Sequence, residues 1–223
     1  MADIETKGPQ NGGYYDSSAP SPHLRKLANP APLGLFSFAS TTLILSFVNV
    51  QARGVTEPNI VVGMALGCGG LAQLLAGMWE FACGNTFGAT AFSSYGAFWI
   101  SYALIFIPGT GILEAYAEPK HAHDLDNAVA FYLTAWFIFT FCMFLASLRS
   151  SVAIAALFFF LDMTFMLLMI GAYITSEKCT KAGGGLGLVT AAIAYYAAAS
   201  GLMTPEASYF GLPVIDLPKY RSA

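Results

Sequence analysis

The chain has 223 residues, of which 56% are hydrophobic and only 10% charged, with 10 Lys plus Arg against 13 Asp plus Glu and a net charge of -3. A soluble domain carries about 25% charged residues, and a single core of this size cannot bury so much apolar side chain, so an ordinary soluble globule is excluded and a bilayer is the natural solvent. Scattered basic residues offer no cationic face for a run of phosphates, which excludes nucleic acid as a partner.

Residues 1–28 are rich in Gly, Pro, Ser and Asp and poor in large apolar side chains, so they are expected to form a disordered tail. The tail has no apolar run of the signal-peptide kind, and the first span is expected to direct insertion. Six stretches of about 20 predominantly apolar residues follow. They fall at 33–50, 60–82, 88–107, 127–147, 151–174 and 184–203. The expected fold class is an all-α integral membrane protein with six transmembrane helices, a membrane domain at 29–205 and a C-terminal tail at 206–223.

The first span opens with Asn29-Pro30-Ala31-Pro32. Asn is a good N-cap, and proline costs little in a first turn whose N–H groups lack partners anyway. The N–H groups of Ala31 and Leu33, with the Asn29 amide, could receive a carboxylate at a pore mouth. A plain helix start explains the same residues.

The second span carries Gly63, Gly67, Gly70 and Gly77, small residues that allow a neighbouring helix to come close. It also holds Gln73, a substrate-binding candidate, and, seven residues on, Glu80, so both share one face. Ionisable groups within a span are site hypotheses by default. Glu80 is either a proton-relay candidate or a structural, helix-bonded carboxylate.

The third span contains Ser93-Ser94-Tyr95-Gly96-Ala97-Phe98-Trp99. Its hydroxyls and the Tyr95 ring suit either a narrow passage for a small acid, with Ser94 a binding candidate, or interhelical hydrogen bonding. His121-Ala122-His123-Asp124 follows in a loop, and no further ligand cluster closes a metal shell around it, so a solvated loop is expected and no metal or cofactor is assigned.

The fourth span presents Phe131, Trp136, Phe137, Phe139, Phe141 and Phe144, a bulky surface suited to lipid or a neighbouring protomer. Near the middle of the fifth lies Asp162, where an unpaired carboxylate is expensive. It faces protein or a cavity, or relays protons. The sixth carries Gly184, Gly187, Ala191, Ala194, Ala198 and Gly201 at three- and four-residue spacing, a stripe built for close helix contact. Cys68, Cys83, Cys142 and Cys179 form no C-x-x-C pair and read as structural thiols.

With the N-terminus inside, the inner segments hold Lys7, Arg25, Lys26, Arg149, Lys219 and Arg221, and the outer loops hold Arg53, Lys120, Lys178 and Lys181. This excess places both termini in the cytoplasm. The plasma membrane is the default location.

Asn29-Pro30-Ala31-Pro32-Leu33-Gly34-Leu35, then Gly84-Asn85-Thr86-Phe87-Gly88-Ala89-Thr90-Ala91-Phe92 running into Ser94-Tyr95-Gly96-Ala97-Phe98-Trp99, resembles the acetate uptake transporter family, the succinate and acetate permeases of microbes also called the YaaH family. The resemblance covers about residues 27–205. It implies six helices per protomer, a homo-oligomer in the form of a hexameric ring, and a path for small carboxylates through each protomer. It further implies a constriction of Phe38, Tyr95 and Leu161, and a position in the sixth helix near Ala194 linked to substrate size. Asp162 stands where bacterial members often carry an uncharged residue, so the resemblance assigns it no role.

An apolar constriction desolvates whatever passes, and a carboxylate loses far more than a neutral acid does. Acetate, entering as acetic acid or together with a proton, is therefore the expected substrate, with propionate, formate, lactate or succinate as further candidates. A channel for neutral solutes such as urea or ammonia is the alternative on the same architecture. A sensor using the Tyr14-Tyr15-Asp16-Ser17-Ser18 tail is a third reading. No nucleophile and base recur within the spans, so an enzyme is not expected.

Overall fold

The computed structural model describes residues 27–205 and 207–218. The expectations for residues 1–26, including the tyrosines of the tail, lie outside the described residues. Six long helices dominate: α1 Ala31–Asn49, α2 Pro58–Ala82, α3 Thr86–Phe106, α4 Ala122–Ser147, α5 Val152–Tyr173 and α6 Glu177–Leu202. Helix α2 is composite, with a π-helical turn over Gly67–Ala72 between two α-helical stretches.

Five of these helices are long and apolar enough to cross a membrane. The exception is α3, which the sequence reading counted among six. Its 21 residues reach about 31 Å, but Ser93, Ser94, Ser101, Tyr95, Tyr102 and several Gly and Thr dilute its hydropathy. Phe92, Tyr95, Phe98 and Trp99 of this helix are buried against protein.

Local chemistry sets the ends. The Asn85 side chain accepts from Gly88 N at 3.1 Å and starts α3. Ser151 and Ser176 do the same for α5 and α6, accepting from Ile154 N at 3.3 Å and Cys179 N at 3.4 Å. Such caps satisfy N–H groups that a first turn leaves without partners. Helix α4 begins at Ala122, earlier than its apolar run, and the His121 ring and Asp124 carboxylate hydrogen bond at 2.7 Å across its first turn.

The helices run alternately up and down. A Cβ added to Gly201, late in α6, would lie 3.3 Å from Pro32 at the start of α1, and one at Gly184 would lie 2.8 Å from Asn49 at its end. The small-residue stripe of α6 therefore lies on α1, with Ala191, Ala194 and Ala198 fully buried. The Tyr195 hydroxyl donates to Ser40 Oγ at 2.8 Å on the same seam. Helices α2 and α3 form a second tight pair through Gly70, Gly77 and Gly96, whereas Gly63 and Gly67 of α2 face open space. The four glycines of α2 thus do not make one stripe, since the π turn changes the helical phase between them.

The aromatic surface expected of α4 divides in two. Phe131 and Phe141 point outward, while Trp136 and Phe139 pack around Tyr95. All four cysteines are free, Cys83 and Cys142 exposed and Cys68 and Cys179 half-buried, so none is a buried core thiol. After α6 the chain folds back, and Val152 N donates to Ile215 O at 2.8 Å while Leu217 N donates to Ser150 O at 3.0 Å.

Candidate functional site

Two cavities enter the bundle from opposite ends. The first, of about 480 Å³, lies where α1 begins and α2 ends, and Ala31, Gln73, Glu80, Asn85, Arg149 and Phe158 are among its walls. The second, of about 220 Å³, lies toward the other end, where Asn49, Tyr102, Tyr132 and Thr180 contribute. Three described residues line both: Phe38 of α1, Tyr95 of α3 and Leu161 of α5. Each is almost wholly buried.

Rings build the junction. The Phe38 and Tyr95 rings lie 5.8 Å apart by centroid, and Tyr95 also meets Phe139 at 5.4 Å and Trp136 at 5.8 Å. The geometry is tilted or edge-to-face, the favoured mode for aromatic pairs. The Tyr95 hydroxyl shares a 2.8 Å hydrogen bond with Thr140 Oγ1 of α4. That bond engages the group the sequence reading offered to substrate, so Tyr95 presents its ring to the cavities while its hydroxyl ties α3 to α4.

At the first cavity, Asn85 Nδ2 donates to Glu80 Oε2 at 2.7 Å. Glu80 thus holds the side chain that caps α3, while its Oε1 has no partner among the described residues. Gln73 is 1% exposed, and neither its Nε2 nor its Oε1 has a partner among the described residues. Arg149, in the short turn between α4 and α5, lines the same cavity. In the sequence, the signal for Arg149 is a cation in the short turn between two closely spaced spans.

The remaining candidates separate from this group. The Ala31 N–H donates to Asn29 Oδ1 at 3.0 Å, so that donor is engaged locally, and Asn29 is exposed. Leu33 is 52% exposed and lines neither cavity, so the expected carboxylate cradle at the start of α1 keeps only Ala31 at the cavity wall. Ser94 is half-buried and Ala194 fully buried, and both lie away from the two cavities. Asp162 adjoins Leu161 but turns from the cavities into protein, with Oδ1 unpartnered among the described residues.

The sequence model of the GPR1/FUN34/yaaH family matches residues 11–219. The chain is 45% identical over 219 residues to acetate permease A of Emericella nidulans, covering 94% of this chain and 73% of that one. It is 48% identical over 200 residues to ammonia transport outward protein 2 of Saccharomyces cerevisiae, covering 90% of this chain and 70% of that one. The solved structure of the bacterial acetate channel SatP superposes with a TM-score of 0.72 at 34% identity, covering 84% of this chain and 100% of that one.

Proposed function

The chain belongs to the GPR1/FUN34/yaaH family, and on that premise we propose that it is a multi-pass membrane transporter of small monocarboxylates, chiefly acetate. The path runs from the first cavity through Phe38, Tyr95 and Leu161 to the second. The observation that carries this reading is that these three residues line both cavities. A solute crossing between them leaves a cavity with Glu80, Asn85 and Arg149 in its walls and meets a ring of apolar side chains. Desolvation there penalises a bare anion far more than a neutral acid. The transported species is accordingly acetic acid, or acetate together with a proton.

All six helices cross the membrane in this reading. The positive-residue count places both termini in the cytoplasm, so the first cavity opens inward. The hexameric ring implied by the family resemblance fits the outward faces of α2 and α4, where Leu71, Trp79, Phe131 and Ile138 are exposed. Such side chains suit lipid or a second protomer. A second reading, export of ammonia, is favoured by the likeness to ammonia transport outward protein 2. Neutral ammonia satisfies the same desolvation rule.

Liposomes containing only this protein decide between them. Labelled acetate is expected to enter faster than into protein-free liposomes, and more so when the outside is acidic. Ammonia flux without acetate flux would select the second reading, and flux of neither would remove both.

A further inference from the structure

The segment after α6 returns to the bundle at one place. Pro213 and Pro218 bracket residues 214–217 and favour extended backbone before each proline. On the α6 side, the Tyr196 hydroxyl donates to Pro213 O at 2.5 Å. On the α5 side, Val152 N donates to Ile215 O at 2.8 Å and Leu217 N donates to Ser150 O at 3.0 Å. These two bonds flank Ser151 and Asp216, which face each other as an isolated antiparallel pair. Val152 is the first residue of α5, and a first-turn N–H has no partner within its own helix, so the returning segment completes α5 from outside.

The turn it grips belongs to the wall of the first cavity, where Arg149 and Ser150 both stand. Other backbone bonds of that turn are local, Leu148 N to Leu145 O and Ser150 N to Ser147 O. Among the described residues, the returning segment is therefore what ties the backbone of this turn to a distant part of the chain. Its own hold is light. Val214 is 44% and Ile215 68% exposed, and a cavity of about 420 Å³ remains between them and Ala156, Ile193 and Tyr196 of the helices beneath. Segments with so few buried contacts open locally at small free-energy cost. The first cavity is open while the segment is docked. Resting on the transport reading above, we propose that residues 213–217 form a detachable strap that holds the mouth of the first cavity in its conducting form. Release frees the turn that carries Arg149 and Ser150 and lowers acetate flux.

Proline removes the bonds one at a time. It is tolerated at the first position of a helix, and Ser151 already has the extended backbone that precedes proline, with φ -131° and ψ 161°. Val152→Pro therefore deletes the donor to Ile215 and keeps α5, while Leu217→Pro deletes the donor to Ser150 from the strap itself. Amide hydrogen exchange is read at Leu217 in the first variant and at Val152 in the second, beside labelled acetate uptake in liposomes. Each reporting amide should exchange about tenfold faster than in the unaltered protein, the scale of one lost hydrogen bond. Acetate uptake should fall in both variants and be lowest in the double variant. Faster exchange with uptake unchanged or raised would overturn the proposal while leaving transport standing. Exchange that stays slow in both variants would overturn it as well, and so would exchange in the unaltered protein as fast as in an unstructured peptide. If neither variant elutes as a single species in detergent, the strap is part of the frame and not detachable, which also overturns the proposal. Absent acetate uptake by the unaltered protein would instead sink the transport reading on which the proposal rests.

Discussion

Along the seam between α2 and α3, Gly70, Gly77 and Gly96 let two backbones meet directly, whereas α3 and α4 scarcely approach each other and rings fill the space between them. Phe98 stacks on Tyr132 at 5.7 Å and packs edge-on against Trp136 at 5.0 Å across that gap. Glycine contacts leave no free volume and fix the helix pair. Side chains spanning a wider gap leave cavities on either side of their bulk, and both cavities of this bundle end at one such side chain, Tyr95. Frame and passage are thus made of different residue types on one helix, with Gly96 turned to α2 and its neighbour Tyr95 turned to α4.

The largest effect should come from breaking the frame. A side chain at Gly96 meets the backbone of α2, which has nowhere to go. Gly96→Leu is therefore expected to cost more than the ~1–3 kcal/mol typical of overpacking and to abolish recovery of a single species in detergent. Gly67→Leu, facing open space within the chain, should be recovered with its secondary structure intact. Circular dichroism and size-exclusion elution of the two variants compare the seams directly.

A smaller effect is expected where a ring bridges the gap. Tyr95→Phe keeps the wall and loses only the hydrogen bond to Thr140, so thermal stability should fall by about 0.5–1.5 kcal/mol while acetate flux changes little. Thr140→Val should act through the same bond, and the double variant should cost less than the sum of the two. A large loss of flux in Tyr95→Phe at normal stability would return the hydroxyl to the passage.

Asp162→Asn should have the smallest effect. The side chain lines neither cavity, and an amide of the same shape supplies its own hydrogen-bonding groups. Both downhill acetate flux and accumulation driven by a proton gradient should persist, and loss of accumulation alone would make Asp162 a proton relay.

The helices themselves were legible, because apolar runs bounded by Pro, Gly and polar residues mark them. Their starts were less so, since Ala122–Asp126 and Glu177–Gly183 continue α4 and α6 beyond the apolar run with charged first turns that hydropathy alone discounts. The converse case is α3, whose serines and tyrosines make it read as less membrane-like than the helices around it. Phase was the main thing hidden. An unbroken helical period would put Gly63, Gly67, Gly70 and Gly77 on one stripe, but the π turn at Gly67–Ala72 breaks that register. Leu33 failed for a related reason, since sequence proximity to Ala31 says nothing about facing, and one residue points into the cavity while the other points out. Arg149 and Thr140 were missed because a cation in a turn and a threonine in an apolar run have common structural explanations, and only the cavity that Arg149 lines and the hydrogen bond of Thr140 to Tyr95 distinguish them.

The central claim is that small acids pass where Phe38, Tyr95 and Leu161 meet, and Leu161 tests it in both directions. Uptake of labelled acetate and labelled lactate is measured in matched liposomes bearing the unaltered protein, Leu161→Trp or Leu161→Ala. The account predicts that Trp closes the junction and lowers acetate uptake at least about tenfold, whereas Ala raises lactate uptake relative to acetate by a similar factor, the scale on which a few methylenes discriminate in an apolar pocket. Acetate and lactate uptake at unaltered levels in both variants, with both recovered as single species in detergent, would contradict it.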